Sequence, residues 1–252
     1  MPESANEVQL TAQLVRVTEI CDRRRDEMYA LMDTYYENMD YSTFNADLDE
    51  KDWVIQIVDE PSNRLTGFSS QVLIHSCVDG RSIRTLFSGD TIVESDRRGQ
   101  QKLFQVSGWL LRRLIDAYPD DELYWFLISK GYKTYRFLPL FFHEFYPRFA
   151  CTMPSRYKAV VESLGMHIDP SRYDPRTGIL RAGPAACRLR PGVADITADR
   201  LRDQHVRFFA EANAGHTRGD ELCCVAPVTT TNLTRAAYRA MGPEPPAELV
   251  LL

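Results

Sequence analysis

Long apolar runs are missing from these 252 residues. None approaches the roughly 20 residues that a membrane-crossing helix needs. A basic surplus is missing as well. Lys and Arg number 30 against 35 Asp and Glu, a formal charge of -5. No cluster of Lys and Arg makes a track for a phosphate backbone, so nucleic acid is not an expected partner. Cys-x-x-Cys pairs are absent. The six cysteines, Cys21, Cys77, Cys151, Cys187, Cys223 and Cys224, are scattered, which fits reduced core thiols in a cytosolic protein. The five histidines form no His-x-x-x-His or His-Glu-x-x-His, so no zinc site is expected. The opening Met-Pro-Glu-Ser-Ala-Asn-Glu is polar and acidic rather than a secretory leader, and the expected location is cytoplasmic. No internal repeat is present.

What is there suffices for a sizeable core: 44% of residues are hydrophobic and 26% charged. Residues 8–17 alternate loosely and read as a strand. Residues 21–39 carry Met28, Leu31, Met32, Tyr35 and Tyr36 at helical spacing. An acidic helix or loop follows at 43–52. Residues 53–58 and 65–77 read as strands joined by a turn. Val78-Asp-Gly-Arg81 reads as a hairpin turn into a strand ending at Val93.

The chain is organised around residues 85–104. Leu86, Ile92 and Val93 supply a strand, and Asp96-Arg97-Arg98-Gly99-Gln100-Gln101 a basic loop. A helix is expected over 102–118, with Leu103, Val106, Leu110, Leu111 and Leu114 on one stripe. A helix start behind a strand aims free N–H groups at one point, which suits a phosphate. After a break at 119–121, Leu123 to Ile128 form a strand apolar on both faces.

Residues 93–103 resemble the acyl-CoA-binding segment of the GCN5-related N-acetyltransferases (GNATs), whose strand ends in an Arg/Gln-x-x-Gly-x-Gly/Ala loop. Arg98 matches the leading position, while Gln101 and Leu103 stand where that family prefers glycine and glycine or alanine. The resemblance spans residues 8–148 and includes the order of elements. It implies an α/β fold with a mixed, mostly antiparallel central sheet flanked by helices. Residues 1–150 would be the acyltransferase core. Residues 151–252 would be an α/β extension that completes the sheet and adds helices without forming an independent domain. It also implies that the strand ending at Val93 and the strand 123–128 splay apart to admit the acyl-pantetheine arm. That residues 98–103 do not lie inside one unbroken helix, and that those strands splay, are the two conditions of this reading.

The implied donor seat comprises Val93, Ser95, Arg97, Arg98, Gly99, Gln100, Gln101, Lys102 and Leu103. Val93 would offer its backbone N–H to the thioester carbonyl, and Ser95 would lie near the pantetheine amide. Asp90 is the first candidate base, Glu94 the second. Tyr135, with Tyr132 as its rival, would protonate the leaving thiolate. His143 and His75 are further candidate bases. Cys223 and Cys224 would face opposite sides of a strand, which argues against a nucleophile pair.

Residues 132–148 hold seven aromatics, with Pro139 starting or kinking a helix. They read as a core helix, a greasy wall beside an acyl chain, or both. Further on, a helix is expected at 156–164, closed by Gly165. Residues 169–192 should be loop-like with a strand at 178–181. A helix capped by Thr197 should cover 197–214, a strand 222–228, and a last helix 232–241. Residues 172–207 contain eight Arg against four Asp, which reads as a solvated face or as a docking patch for an acidic carrier protein.

The implied function is transfer of an acyl group from an acyl-CoA or acyl-phosphopantetheine thioester to an amine of a small molecule or peptide, with no metal. The altered loop and the aromatic stretch point to acyl groups longer than acetyl and to acyl-carrier protein as a donor. The alternative is a GNAT-like module that binds a ligand or partner without catalysis.

Overall fold

The structure is a computed structural model that describes residues 9–94, 97–246 and 249, with the backbone alone at 97–100. The fold is mixed α/β, with an eight-stranded, mostly antiparallel sheet flanked by helices. In chain order come β1 (Leu10–Arg16), α1 (Asp22–Tyr35), β2 (Tyr36–Glu37) and α2 (Tyr41–Asp49). Then follow β3 (Trp53–Asp59), β4 (Arg64–Val78), β5 (Arg81–Val93), α3 (Arg97–Ala117) and β6 (Glu122–Ser129). Next are α4 (Tyr132–Tyr135), α5 (Phe137–Phe141), α6 (Ser155–Ile168), β7 (Tyr173–Asp174), β8 (Ile179–Leu180) and β9 (Arg188–Leu189). The chain closes with α7 (Gln204–Ala212), β10 (Glu221–Pro227) and α8 (Arg235–Met241).

The sheet runs β1-β3-β4-β5-β6-β10-β8-β7. Within it β5 and β6 are the parallel pair, the crossover being α3. Antiparallel β10 covers the other edge of β6, from Leu222↔Ser129 to Pro227↔Tyr124. The expected leucine stripe of α3 is buried against one face, with Leu103, Val106, Leu110, Leu111 and Leu114 all at 5% exposure or less. Each contributes roughly 1.5–3 kcal/mol by leaving water. That face also receives α4, α5, α7 and α8. The opposite face packs α1 and α2 near β3 and β4, and α6 near β6 and β10. Cys223 and Cys224 fall on opposite faces, both buried.

Several boundaries differ from expectation; α1 stops at Tyr35 rather than Met39, because Tyr36 and Glu37 form β2, and α8 starts at Arg235 rather than at residue 232. Residues 97–101, expected as a loop, are the first turn of α3. The first condition therefore fails, since 98–103 are helical. Gly165 does not close α6, which continues to Ile168. A Cβ on Gly165 would lie 2.3 Å from the Tyr173 ring, so this glycine serves close packing rather than helix termination. Thr197 does not cap α7. Asp203 does, accepting from the His205 backbone N–H, so the helix starts seven residues later than expected, at Gln204. The aromatic stretch gives two short helices rather than one. Pro139 is the third residue of α5, where its missing N–H has no intrahelical partner to lose.

The second condition holds. Parallel pairing of β5 with β6 runs from Ile83↔Glu122 to Ser88↔Leu127 and stops there, although both strands continue.

Candidate active site

The divergence coincides with a bulge. Ser69 pairs with Thr91 and Gln71 with Ser88, so Gly89 and Asp90 together oppose the single residue Ser70. An extra residue in one strand breaks the ladder and bends it. Gly89 is required at this point. A Cβ there would sit 2.7 Å from Ser70 Oγ and 3.2 Å from Lys51 Cε.

Beyond the bulge the N–H of Glu94 bonds to Thr66 O, at 2.9 Å. Alternate residues of a strand present their N–H groups to opposite sides. The N–H groups of Thr91 and Val93 therefore point away from β4, toward the gap left by β6. Through this gap runs a cavity of about 1,200 Å³, lined on β5 by Gly89, Asp90, Thr91, Ile92 and Val93, and on the far side by Ile128, Lys130, Gly131 and Tyr132. Because α2 and α6 lie on one sheet face and α3, α4 and α5 on the other, the cavity has two lobes joined at the gap. Residues 183–189 cross the first lobe as a strap. The two-residue ribbon of β2 and β9 ties the strap down, aided by an ion pair of Arg188 to Glu37 at 3.0 Å.

Asp90 stands at the join. Ile92 packs against the α1 and α2 side, so Asp90, two residues earlier, faces the first lobe. Burial pushes its carboxyl up to about 6, against the opposing charges of Lys130 and Lys51 and with the help of Asp47 and Glu221. Lys130 lies 3.3 Å from Glu221 and 5.6 Å from the centre of the Tyr36 ring. Burial alone would strip its proton, but the charge of Glu221, with smaller help from Cys187, Tyr36 and Asp90, wins and holds the ammonium above its ordinary value. Burial raises both the Tyr36 phenol and the Cys187 thiol, so each stays neutral.

On the second face a chain of hydrogen bonds reaches the bulge. Trp125 Nε1 donates to Ser88 Oγ at 2.8 Å, Ser88 to Gln71 Oε1 at 2.7 Å, and Gln71 Nε2 to Ser69 Oγ at 2.7 Å. Ser69 Oγ lies 2.6 Å from Thr91 Oγ1, and Thr91 donates to the Gly89 carbonyl at 3.2 Å. Each hydroxyl that accepts from one neighbour is left to donate to the next, so the dipoles align toward the bulge.

Of the residues expected at the site, Asp90, Val93 and Leu103 line the cavity. Glu94 does not. It pairs with both terminal nitrogens of Arg64 on the sheet surface. Tyr135 is fully buried, packs against Phe145, Phe208 and Phe209, and donates to Pro147 O at 2.9 Å. Its rival Tyr132, three residues earlier, is on the wall. His143 is exposed away from the cavity, its N–H bonded to Asn232 O. His75 is also exposed, its ring 3.0 Å from Ser82 Oγ. Ser95 lies outside the described residues. Arg97, Arg98, Gly99 and Gln100 supply the first-turn backbone of α3, Gln101 is exposed and Lys102 half-buried.

Sequence reasoning missed Lys130, Tyr36, Glu221 and Cys187. A lone lysine at the exit of the apolar run Leu123-Tyr-Trp-Phe-Leu-Ile128 was a usable signal for the first. The arginine-rich segment is largely neutralised: Arg172, Arg176, Arg181, Arg188, Arg190 and Arg202 all sit in ion pairs.

No family model matches the chain, and no curated protein matches it. Among solved structures it is similar to an N-myristoyltransferase of Saccharomyces cerevisiae with bound myristoyl-CoA, at TM-score 0.36 and 14% identity over 50% of this chain and 31% of that one. It is similar to a GNAT-family N-acetyltransferase of Escherichia coli in complex with CoA, at TM-score 0.36 and 15% identity over 53% and 71%. It is also similar to glucosamine-6-phosphate N-acetyltransferase from Arabidopsis thaliana, at TM-score 0.38 and 13% identity over 58% and 97%. The chain spans about a third of the myristoyltransferase's length. The likeness is one of fold.

Proposed function

We propose that the chain is an N-acyltransferase of GNAT type, which moves an acyl group from an acyl-CoA thioester to an amine. One observation carries this reading: two adjacent parallel strands part at a bulge, and the parting opens a cavity through the sheet with Asp90 at its waist.

The chemistry needs a neutral amine, a polarised carbonyl and a proton for the departing thiolate. Asp90, ionised at neutral pH, takes a proton from the incoming ammonium. The amine lone pair then bonds to the thioester carbon; as the C–S bond breaks, the nitrogen gives up its second proton, and the departing thiolate gains that proton. The N–H groups of Thr91 and Val93 face the gap and would hold the carbonyl oxygen and the first amide of the pantetheine arm. Tyr132, on the wall where Tyr135 is not, would relay that proton, giving its own to the thiolate and recovering one from the nitrogen. The first-turn amides of α3, from Arg97 to Gln100, take over the anion-holding task expected of a loop. Leu103, Phe137 and Leu140 give the second lobe an apolar stretch beside Lys133 and Arg136, which favours acyl groups longer than acetyl. The ion-paired arginines of residues 172–207 leave little to attract an acidic carrier protein, so free acyl-CoA is the favoured donor.

Calorimetric titration with acetyl-CoA and a long-chain acyl-CoA, followed by turnover with a panel of amines, tests the proposal. Saturable binding and amide formation that depends on Asp90 are expected. Binding without turnover on any amine would leave a ligand-binding module instead, and no binding of either thioester would sink both readings.

A further inference from the structure

The first lobe is built for one kind of acceptor. Its floor is apolar: Val72 and Ile74 of β4, Phe87 of β5 and Ile128 of β6 belong to one hydrophobic cluster, and Ile168 of α6 joins them. Its walls are charged, yet its cations are already used. Lys51 lies 2.7 Å from Asp47. Lys130 lies 3.3 Å from Glu221, and Arg172 lies 2.9 Å from the same carboxylate and 4.0 Å from Asp169. His167 sits exposed at the outer rim. Lys133 of α4, Arg136 between α4 and α5, and Arg200 in the turn before α7 also line the cavity, but these segments pack on the opposite sheet face. Lys133 there donates to Val193 O, and Arg136 pairs with Asp203 at 3.3 Å. Among the carboxylates of the first lobe, Asp90 is the one at the waist with no ion pair among the described residues, and Glu50 stands exposed on the wall.

We infer that the acceptor is an amphipathic primary amine: a cationic nitrogen directed at Asp90, an apolar alkyl or aryl body on the Val72–Ile74–Phe87–Ile128 floor, and no carboxylate or phosphate. This rests on the acyltransferase reading and narrows it. An anionic group carried into this lobe meets no uncommitted cation, and it must either stay unpaired under the strap or break an existing pair. Both are costly. The apolar body gains by covering Val72 and Ile128, which stay half-buried on a floor completed by the buried Ile74 and Phe87.

The test is binding of matched probes to the intact chain without any acyl donor, measured by calorimetry or ligand-observed NMR. The probes are 2-phenylethylamine, L-phenylalanine (the same body with an added carboxylate) and 3-phenylpropionate (the body with the carboxylate alone). 2-Phenylethylamine is expected to bind at least about tenfold more tightly than L-phenylalanine, since each factor of ten needs only about 1.4 kcal/mol. 3-Phenylpropionate is expected to bind most weakly. Val72→Lys, which places a free cation on the half-buried floor, should shift the ratio toward L-phenylalanine. Equal or tighter binding of L-phenylalanine by the unaltered chain overturns the inference, and so does failure of 2-phenylethylamine to bind. Because no thioester is present, either result stands apart from the fate of the acyltransferase reading. Amide formation on L-phenylalanine with none on 2-phenylethylamine would keep that reading and remove this one.

Discussion

Replacing Asp90 with asparagine should raise stability while removing activity, and the sign and pH dependence of the gain can be worked out beforehand. The carboxyl is lifted from 3.8 to about 6, chiefly by burial. A carboxyl raised in the folded state costs stability wherever it must ionise. The cost is full above the folded pKa, shrinks as pH falls through it, and vanishes below the unfolded value. With about 1.36 kcal/mol per pKa unit, the full cost is about 3 kcal/mol. The cavity admits water, which screens the charge, so about 1–3 kcal/mol is the range to expect. Asp90→Asn keeps the shape and removes the ionisation. In urea denaturation at pH 7.5 it should therefore gain about 1–3 kcal/mol, and at pH 5 roughly half of that. In turnover assays kcat/KM should fall by about 10²–10⁴, the usual worth of a general base, and the rise in rate near pH 6 should vanish. A loss of stability at pH 7.5, or a gain indifferent to pH, would show that Asp90 is not a desolvated carboxylate. Retained turnover with a retained pH profile would show that it is not the base.

The bulge should be intolerant of one methyl group. Gly89→Ala brings Cβ to 2.7 Å from Ser70 Oγ, an overpacking cost of about 1–3 kcal/mol. Adding Ser70→Ala should recover most of that in thermal denaturation; no recovery would move the cause elsewhere. Tyr135→Phe removes the bond to Pro147 O. It should cost about 1 kcal/mol in urea denaturation and leave kcat unchanged, whereas a drop in kcat would return Tyr135 to the proton-donor role. Glu221→Gln strips the counter-charge from Lys130 and Arg172. It should cost about 2–3 kcal/mol, measured the same way, and a neutral outcome would mean those cations find other partners.

The physics that made parts of this chain legible is local. Apolar and β-branched runs bounded by turn residues, such as Asp79-Gly80, located β3, β4 and β5, because strand and turn chemistry is set by neighbours in sequence. Period 3.6 located the buried stripe of α3, because Leu103, Val106, Leu110, Leu111 and Leu114 recur at that interval whatever lies opposite them. The start of α3 was less readable. Arg97-Arg98-Gly99 has a loop's composition, yet a glycine in the first turn costs a helix only about 1 kcal/mol, which the long apolar stripe behind it outweighs. Gly165 looked like a terminator because its partner is not local: the ring of Tyr173 comes to rest on it only after β7 has joined the sheet.

The same distinction divides the site. Asp90 could be reached from the sequence because the family resemblance puts a base a few residues before the end of the strand at Val93, a position that local strand signals report. Tyr132 and Tyr135 could not be told apart, because a four-residue helix has too few positions to show which side faces the core. The strap lay furthest out of reach. Arg188 and Glu37 are 151 positions apart, and the strands that join them have two residues each, too short to show alternation. The strap lines the same cavity as Asp90, whose raised pKa comes chiefly from burial. The strap is expected to supply part of that burial, so that the residue visible in the sequence would owe its chemistry to residues that were not. If that is so, breaking the ribbon with Arg188→Pro should let water reach Asp90 and bring the midpoint of any pH–rate profile down from about 6 toward 3.8. A midpoint that stays near 6 would place the origin of the shift in the sheet itself rather than in the strap.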